Sequence, residues 1–238
     1  MKSNITIVIP SHNCTRKFNY VINEIRKNNI NHEILIVDDN SDTKSRLIIQ
    51  NIKNNFKRIK VKKNPKNIGQ GGSIKSSIKI LENKKDFLCT MDDDGQHAVQ
   101  DVKKILSKKN LIFYSNKAIY GSRELMYRDT PINSFIGNKI SKAMFQLISK
   151  KKIIDTQTGL RFYSLFIGKK FLKIKANGFD FHNIMNFFLI KKKIKIVEFK
   201  IKTIYFDKNK KTRFKSLKDT LKIINAIKTF YFSIIFSN

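Results

Sequence analysis

Three short runs constrain this chain more than any other feature: "ITIVIP" (Ile5–Pro10), "EILIVDD" (Glu33–Asp39) and "DFLCTM" (Asp86–Met91), the last running straight into Asp92–Asp94. Each is apolar, too short for a stable helix, and closes on a proline or on acids. Runs of this kind, without polar alternation, read as strands buried on both faces. Between them lie segments with helical spacing, roughly Arg16–Asn28, Thr43–Asn54 and Asn67–Leu81, the last opening on the glycine-rich turn "NIGQGGS". "RIKVKK" (58–63) alternates and reads as a further strand. Strands alternating with helices predict an α/β fold with a mostly parallel central sheet, wound by right-handed crossovers and flanked by helices. Ligands of such sheets bind outside the carboxyl ends of the strands. Pro10–Asn13, Asp38–Asp39 and Asp92–Asp94 all fall there.

The second half is less regular. "IFYSNKAIYGSR" (Ile112–Arg123) reads as a strand followed by a turn, Pro131–Lys150 as a helix, and "DTQTGLRFYS" (Asp155–Ser164) as a polar turn leading into a strand. Asp180–Lys191 has helical spacing, "KIKIVEFKIKTIYF" (193–206) is β-rich, and the stretch from Arg213 onward reads as a helix carrying "IKTFYFSIIF". No repeat and no shift in composition marks a linker. One domain over residues 1–238 is expected, with halves of about 1–110 and 111–213 and a terminal helix over about 214–238.

Forty-nine lysines and arginines against 18 acids give a formal charge of +31 over 238 residues. Such a field attracts polyanions: nucleic acid, anionic lipid headgroups or phosphorylated substrates. Lys, Asn, Ile and Phe are enriched together, which an AT-rich coding sequence also produces. A basic nucleic-acid-binding module would explain the charge alone. It would leave the acidic strand ends unexplained, and aromatic and basic residues do not interleave at a recognisable RNA-binding spacing. Cys14 and Cys89 make no disulfide framework, so a reducing compartment is expected. The Ile5–Ile9 run is too short for a signal-peptide core, and no segment reaches the ~20 apolar residues of a membrane span. A cytoplasmic protein, peripheral on the inner face of the cell membrane, fits these limits.

"MDDDGQH" (Met91–His97) concentrates like charges that raise one another's pKa. Asp92 and Asp94, two apart on an extended segment, can point the same way. Two hard oxygen ligands at that spacing suit Mg²⁺ or Mn²⁺, and Gln96, two further on, offers a neutral oxygen. Asp93 between them should face the opposite way, towards a ligand or solvent. The plain alternative is a solvated acidic turn, for which "DG" is ordinary chemistry. "VDDNSDT" offers Asp38 and Asp39 to a base or ribose, and Ser41–Thr43 as helix caps. "NIGQGGS" lacks the later glycine of a dinucleotide fingerprint and follows the third strand, so it reads as a turn that approaches a ligand closely. Arg123 in "GSR", Arg161 in "TGLR", and Lys208, Lys210, Lys211 and Arg213 in "DKNKKTRFK" are candidate phosphate contacts. In so lysine-rich a chain most lysines are simply solvated, and the scarcer arginines carry more weight. His12 and His97 lie near the rim with no zinc-site spacing, and His182 in "GFDFHN" reads as a surface histidine at a helix start.

Taken in order, "IVIPSHN", "VDDNSDT", "NIGQGGS", "MDDDGQH", "GSR" and "DTQTGLR" resemble the family 2 glycosyltransferases of the GT-A fold. "DGQH", "DTQTGLRFYS", "IKTIYF" and "RFKSLKDTLKI" narrow the resemblance to the dolichyl- and polyprenyl-phosphate sugar transferases, the dolichol-phosphate mannose synthase-like branch, over about Ile5–Ile227. The resemblance implies an inverting, metal-dependent enzyme with a UDP- or GDP-sugar donor and a polyprenyl or dolichyl phosphate acceptor. The first half would bind the nucleotide sugar and the second the acceptor. Pro10 and Asn13 would line the base pocket, with Asp38 or Asp39 on base or ribose. Asp92 and Asp94, with Gln96, would hold Mg²⁺ or Mn²⁺ on the diphosphate. Asp93 would lie beside the donor, Asp94 and Arg123 would act in catalysis, and Arg123, Arg161, Lys208 and Arg213 would contact donor or acceptor phosphates. A hydroxyl of a surface glycan is the alternative acceptor. The chain departs from the pattern in two places: Pro10-Ser-His-Asn-Cys14 stands where relatives commonly read P-x-Y-N-E, and His182 where they often carry Glu. Relatives also commonly continue into membrane spans, whereas this chain stops at Asn238. Leu217–Phe236 could then be an amphipathic helix on anionic lipid, or a packed last helix, and a membrane-protein partner could replace the spans.

Overall fold

The structure is a computed structural model, and it describes residues 4–82, 87–107, 115–124, 130, 132–178, 180–204 and 225. The strands are β1 (Ile5–Ser11), β2 (Glu33–Asp38), β3 (Ile59–Lys63), β4 (Phe87–Thr90), β5 (Ala118–Arg123), β6 (Arg161–Ser164) and β7 (Ile196–Ile201). The described helices are α1 (Lys17–Lys27), α2 (Thr43–Asn55), α3 (Gly69–Leu81), α4 (Val99–Ile105), α5 (Ile132–Ser149), α6 (Leu165–Phe171) and α7 (Asp180–Lys191). The strands form one sheet in the order β3-β2-β1-β4-β6-β5-β7.

The unbroken apolar character of β1 and β2 follows from burial on both faces. Ile5, Ile7, Ile9, Ile34 and Ile36 pack on one side with α1, α2 and α4. Val8, Leu35 and Val37 pack on the other with α3, α6 and α7. Each strand therefore splits its residues by parity between two cores, which is what a parallel sheet between helical layers requires. The expected α/β fold with a mostly parallel sheet is the one formed. β2, β4 and β3 pair parallel as expected, with Ser11 opposite Asp38 and Val8 opposite Thr90.

Three features differ from the sequence expectation. β6 runs antiparallel between β4 and β5, pairing Thr90 and Tyr120 with Arg161. The connection through α4 carries the chain past one strand position, and β6 returns from the far side to fill it. "GSR" is strand and not turn, because Ser122 and Arg123 pair with Lys200 and Ile201 of β7. The short helices α4 and α6 were not anticipated, since seven residues give less than two full turns of periodicity. Among the described residues the β-rich run extends past β7 as a bridge between His97 and Thr203. The helix expected from Arg213 onward lies outside the described residues except for Asn225. Among the described residues no helix is long and apolar enough to cross a membrane.

The glycines of "IGQGGS" let α3 meet the start of α7. Gly69 sits at φ +80, and a Cβ on Gly71 would lie 2.4 Å from Cβ of Phe181. Gly71→Ala should therefore overpack this contact and cost about 1–3 kcal/mol. The expected reading is a lower urea midpoint with unchanged slope, not restored when Phe181→Leu is added, because leucine keeps the Cβ and Cγ that the new methyl group meets. An unchanged midpoint would show that the two helices can part without cost.

Candidate functional site

The sheet delivers its polar strand ends to one rim. The backbone N–H of Asp39 donates to Ser11 O at 2.8 Å and that of Met91 to Val8 O at 3.0 Å, so the ladders continue past the strands and fix the exits. Pro10 ends up half-buried at the rim. Asn13 adopts φ 51 and cross-links the first two exits: its N–H donates to Ser41 Oγ at 3.1 Å, and its Oδ1 accepts from Asp42 N at 2.9 Å. Nδ1 of His12 lies 3.0 Å from Asp39 O, a carbonyl that can only accept, so this nitrogen carries the proton. Asp42 is the cap of α2, accepting from Ser45 N at 2.8 Å.

Asp38 and Asp39 are both 3% exposed. Asp38 Oδ1 accepts from Ser41 N at 2.9 Å. Asp39 does more: Oδ1 accepts from Asn64 Nδ2 at 2.8 Å and from Ile68 N at 3.0 Å, and Oδ2 from Gly69 N at 2.8 Å. The carboxylate that the sequence offers to a ligand thus holds the glycine turn.

The acid turn shows the alternation its spacing predicts. Asp92, Asp94 and Gln96 are partly exposed, while Met91, Asp93, Gly95 and His97 are buried. Asp93 does face away from its neighbours, but inward: it is 3% exposed and its Oδ2 accepts from Ser11 Oγ at 2.7 Å. This corrects the expectation that it faces solvent. Asp92 Oδ1 accepts from Gln70 Nε2 at 2.8 Å, and Asp94 Oδ1 from Gln96 N at 3.0 Å. Gly95 takes φ 79, which lets the turn reverse. On the far side Gly159 presses against the turn, and a Cβ there would lie 2.2 Å from both Asp92 carboxylate oxygens. His97 Nε2 lies 3.7 Å from Asp92 Oδ2. Burial, then the Arg123 charge, pushes this imidazole down to about 4 against the pull of Asp94 and Asp155, so it is neutral at physiological pH and the contact is no ion pair.

Arg123, at the end of β5, closes the site. Its Nε donates to Asp155 Oδ2 at 2.7 Å and its Nη1 to Gln96 Oε1 at 3.3 Å. Burial opposes the guanidinium's charge, but Asp155, then Asp92 and Asp94, more than reverse this and raise its pKa above the ordinary value. Asp155 is fully buried, and its Oδ1 also accepts from Asn138 Nδ2 at 2.8 Å and Gln157 N at 3.0 Å. Burial would raise its pKa, yet the Arg123 charge and the hydrogen bonds from Arg123 and Gln157 hold it below the ordinary aspartate value. Glu198 of β7 supports the same corner, accepting from Ser122 Oγ at 2.5 Å and from Ile154 N at 2.9 Å.

Arg161 is not a surface phosphate contact. It is 1% exposed, and its nitrogens donate to Thr156 O, Thr158 O, His182 O, Tyr120 Oη and Asn186 Oδ1. Pairing with Thr90 and Tyr120 in mid-sheet is what draws it inside, where it braces the Thr156–Thr158 turn. His182 is likewise no surface histidine: it is buried, with both ring nitrogens unpaired, and burial, then Arg161 and Arg123, holds it well below 6.5. Lys208, Lys210, Lys211 and Arg213 lie outside the described residues.

One cluster therefore joins Asp92, Asp94, Gln96 and Arg123. A second joins Pro10, Asn13, Asp38 and Asp39, and Ser11–Asp93 connects the two. Sequence reasoning missed Ser11, Gln70, Asp155, Gly159 and Glu198. The only signal for Asp155 and Gly159 was membership of "DTQTGLR", and for Gln70 its place in "GQGG". Among the described residues no group of three or more His, Cys, Asp or Glu could hold a metal ion. Two outward carboxylates with an amide oxygen alongside still form a hard-oxygen set that suits a cation keeping waters and substrate oxygens.

Comparison with known proteins agrees with this geometry. Residues 6–165, well over half the chain, match the Glycosyl transferase family 2 domain. A UDP-N-acetylglucosamine–dolichyl-phosphate N-acetylglucosaminyltransferase of Methanococcus voltae is 27% identical over 222 residues, covering 84% of this chain and 86% of that protein. An uncharacterised protein of Methanocaldococcus jannaschii is 28% identical over 211 residues, covering 86% of this chain and 83% of its own. Among solved structures, glucosyl-3-phosphoglycerate synthase of Mycobacterium tuberculosis, in complex with Mn²⁺, UDP and glucosyl-3-phosphoglycerate, superposes with TM-score 0.69 at 10% identity, over 96% of this chain and 80% of that one. Mannosyl-3-phosphoglycerate synthase of Rubrobacter xylanophilus gives TM-score 0.68 at 14% identity, over 96% and 72%. At such identities the structural likeness is one of fold, the GT-A arrangement.

The Arg123–Asp155 pair sets an acid limit on stability. A carboxyl with a depressed folded-state pKa contributes fully above its unfolded value, near 3.8, and loses that contribution as pH falls through the folded value. Asp155→Asn should cost about 3–5 kcal/mol at neutral pH, because it leaves a largely buried guanidinium unpaired. Its denaturation midpoint should also fall less steeply than the parent's below pH 3.8. Matching acid limbs in the two proteins would rule out this account of the pair.

Proposed function

The chain belongs to glycosyl transferase family 2, and from that premise we propose that it moves a sugar from a UDP- or GDP-sugar to a polyprenyl or dolichyl phosphate at a membrane surface, with inversion at the sugar carbon. The observation that carries the reading is the outward pair Asp92 and Asp94 beside Arg123, at the carboxyl ends of the parallel strands. The relative that acts on dolichyl phosphate supports the acceptor.

Pro10, Asn13 and the Asp38–Asp39 corner would bound the pocket for base and ribose. Their cross-links hold that corner rigid before any ligand arrives, which lowers the ordering cost of binding. Asp92 and Asp94, with Gln96 alongside, would hold Mg²⁺ or Mn²⁺, and the chemistry such an ion supplies is neutralisation of charge on the departing diphosphate. Arg123, immobilised by Asp155, would meet a phosphate of donor or acceptor with its orientation already fixed. An oxygen of the acceptor phosphate forms the new bond to the anomeric carbon as the bond from that carbon to the diphosphate oxygen breaks. The nucleoside diphosphate leaves with the electron pair. The attacking oxygen is already ionised near neutral pH, so no strong general base is required. Neutral, buried His97 then acts as packing against Asp92 rather than as a proton acceptor.

Release of nucleoside diphosphate from a panel of UDP- and GDP-sugars, with Mg²⁺ or Mn²⁺ and with or without polyprenyl phosphate, tests the reading. Release should need both metal and lipid phosphate, and Asp94→Asn should lower it about 100-fold or more. Full activity in that variant would remove Asp94 from the site. Turnover with a saccharide hydroxyl and none with polyprenyl phosphate would replace the acceptor.

A further inference from the structure

Helix α5 is apolar on both sides. Its inward side packs Phe145, with Met144 and Ile148, on the core and also carries Asn138 and Ser141, which are 4% and 1% exposed. Its outward side carries Ile132, Ile136, Ile140 and Leu147, exposed by 55%, 49%, 37% and 82%. These four are half of the eight large apolar side chains left exposed among the described residues. With exposed Lys139, Ala143, Gln146 and Lys150 they occupy roughly a third of the helix circumference at 3.6 residues per turn. A surface helix of a globular domain ordinarily turns charged and polar residues to that outward side.

The inward polar side is explained by the site. Asn138 Nδ2 donates to Asp155 at 2.8 Å, Ser141 Oγ donates to Asn183 Oδ1, and Thr156 Oγ1 donates to Ser141 Oγ at 2.8 Å. The outward apolar side has no such partner within the described fold. A contiguous exposed apolar stripe of this kind marks an interaction surface.

We propose that the outer face of α5 is the surface by which this protein docks on an anionic lipid bilayer. Charge decides between possible occupants. Residues 132–152 contain five lysines (139, 142, 150, 151 and 152) and no acid. A second copy of the chain brings +31 with it. The chain's own residues 205–238 carry eight lysines and arginines against two acids. Both would meet α5 with like charge, whereas an anionic bilayer offers apolar depth for the isoleucines and phosphate for lysines that snorkel from their flank. Docked this way, α5 presents lipid on one side and Asn138, on the Asp155–Arg123 pair, on the other. An acceptor phosphate at the headgroup level then approaches the Arg123 edge of the site. As the acceptor's route this rests on the lipid-phosphate reading above, while as a docking surface it stands on α5 alone.

The test is co-sedimentation of the full chain with phosphatidylglycerol-containing vesicles and with phosphatidylcholine vesicles, for the parent, Ile136→Glu, Leu147→Glu and the double variant. Partition onto anionic vesicles should fall about tenfold for each substitution, weaken with added salt, and be low on phosphatidylcholine for all four. Melting temperatures, and nucleoside diphosphate release with a water-soluble short-chain prenyl phosphate, should not change. A double variant that still sediments like the parent would overturn the proposal. So would a parent that ignores anionic vesicles, or a loss of self-association in the variants without vesicles, which would identify a second copy as the occupant. If the short-chain acceptor is inert but the partition change holds, the acceptor reading fails and the docking surface stands.

Discussion

Asp155 is the point from which the Arg123 side of this molecule is organised. Its carboxylate is fully buried, and it gathers Arg123 from β5, Asn138 from α5 and Gln157 from its own loop. A buried carboxylate is costly unless charge and hydrogen bonds surround it. Here they do, and each bond also positions something. Arg123 is fixed facing Gln96 and the acid turn, α5 is pinned with a polar face inward, and the 155–161 loop is set so that Gly159 can reach Asp92. Removing that one carboxylate would loosen three elements at once, leaving Thr156–Ser141 and the Glu198 contacts to hold them.

The like charges of Asp92–Asp94 are resolved by direction. Asp93 turns into the protein and is satisfied by Ser11, so only Asp92 and Asp94 share the open side. Gln70 and Arg123 then supply donors and positive charge at the two ends of that side. The turn is therefore tolerable as it stands and still has anionic oxygens facing outward, which is the condition a site for a cation and a diphosphate must meet.

Much of this was legible in the residues. Periodicity located β1, β2, β4 and α7 because those segments lie wholly between two cores or against one, and the two-residue spacing of Asp92, Asp94 and Gln96 foretold their common side. Strand direction was not legible: β6 has an ordinary strand composition, and only its neighbours make it antiparallel. The same pairing converts Arg161 from an apparent surface arginine into an internal brace. Asp39 carries the hydrogen-bonding capacity of a ligand contact, and nothing local reveals that Asn64, Ile68 and Gly69 take it up. Gly159 matters through an atom it lacks, which no residue-by-residue reading can see. Helix α5 forms where its apolar residues predict it, although only Phe145, Met144 and Ile148 of them reach the core and four others face outward.

Two consecutive residues at the start of α3 tie the rim together. Gly69 donates its N–H to Asp39, and Gln70 donates its side chain to Asp92. Neighbouring Cα atoms are about 3.8 Å apart, whatever the loops around them do. The gauge between the Asp39 corner and the acid turn is therefore set by a helix end as well as by the Ser11–Asp93 bond, and an insertion between Gly69 and Gln70 would strain both.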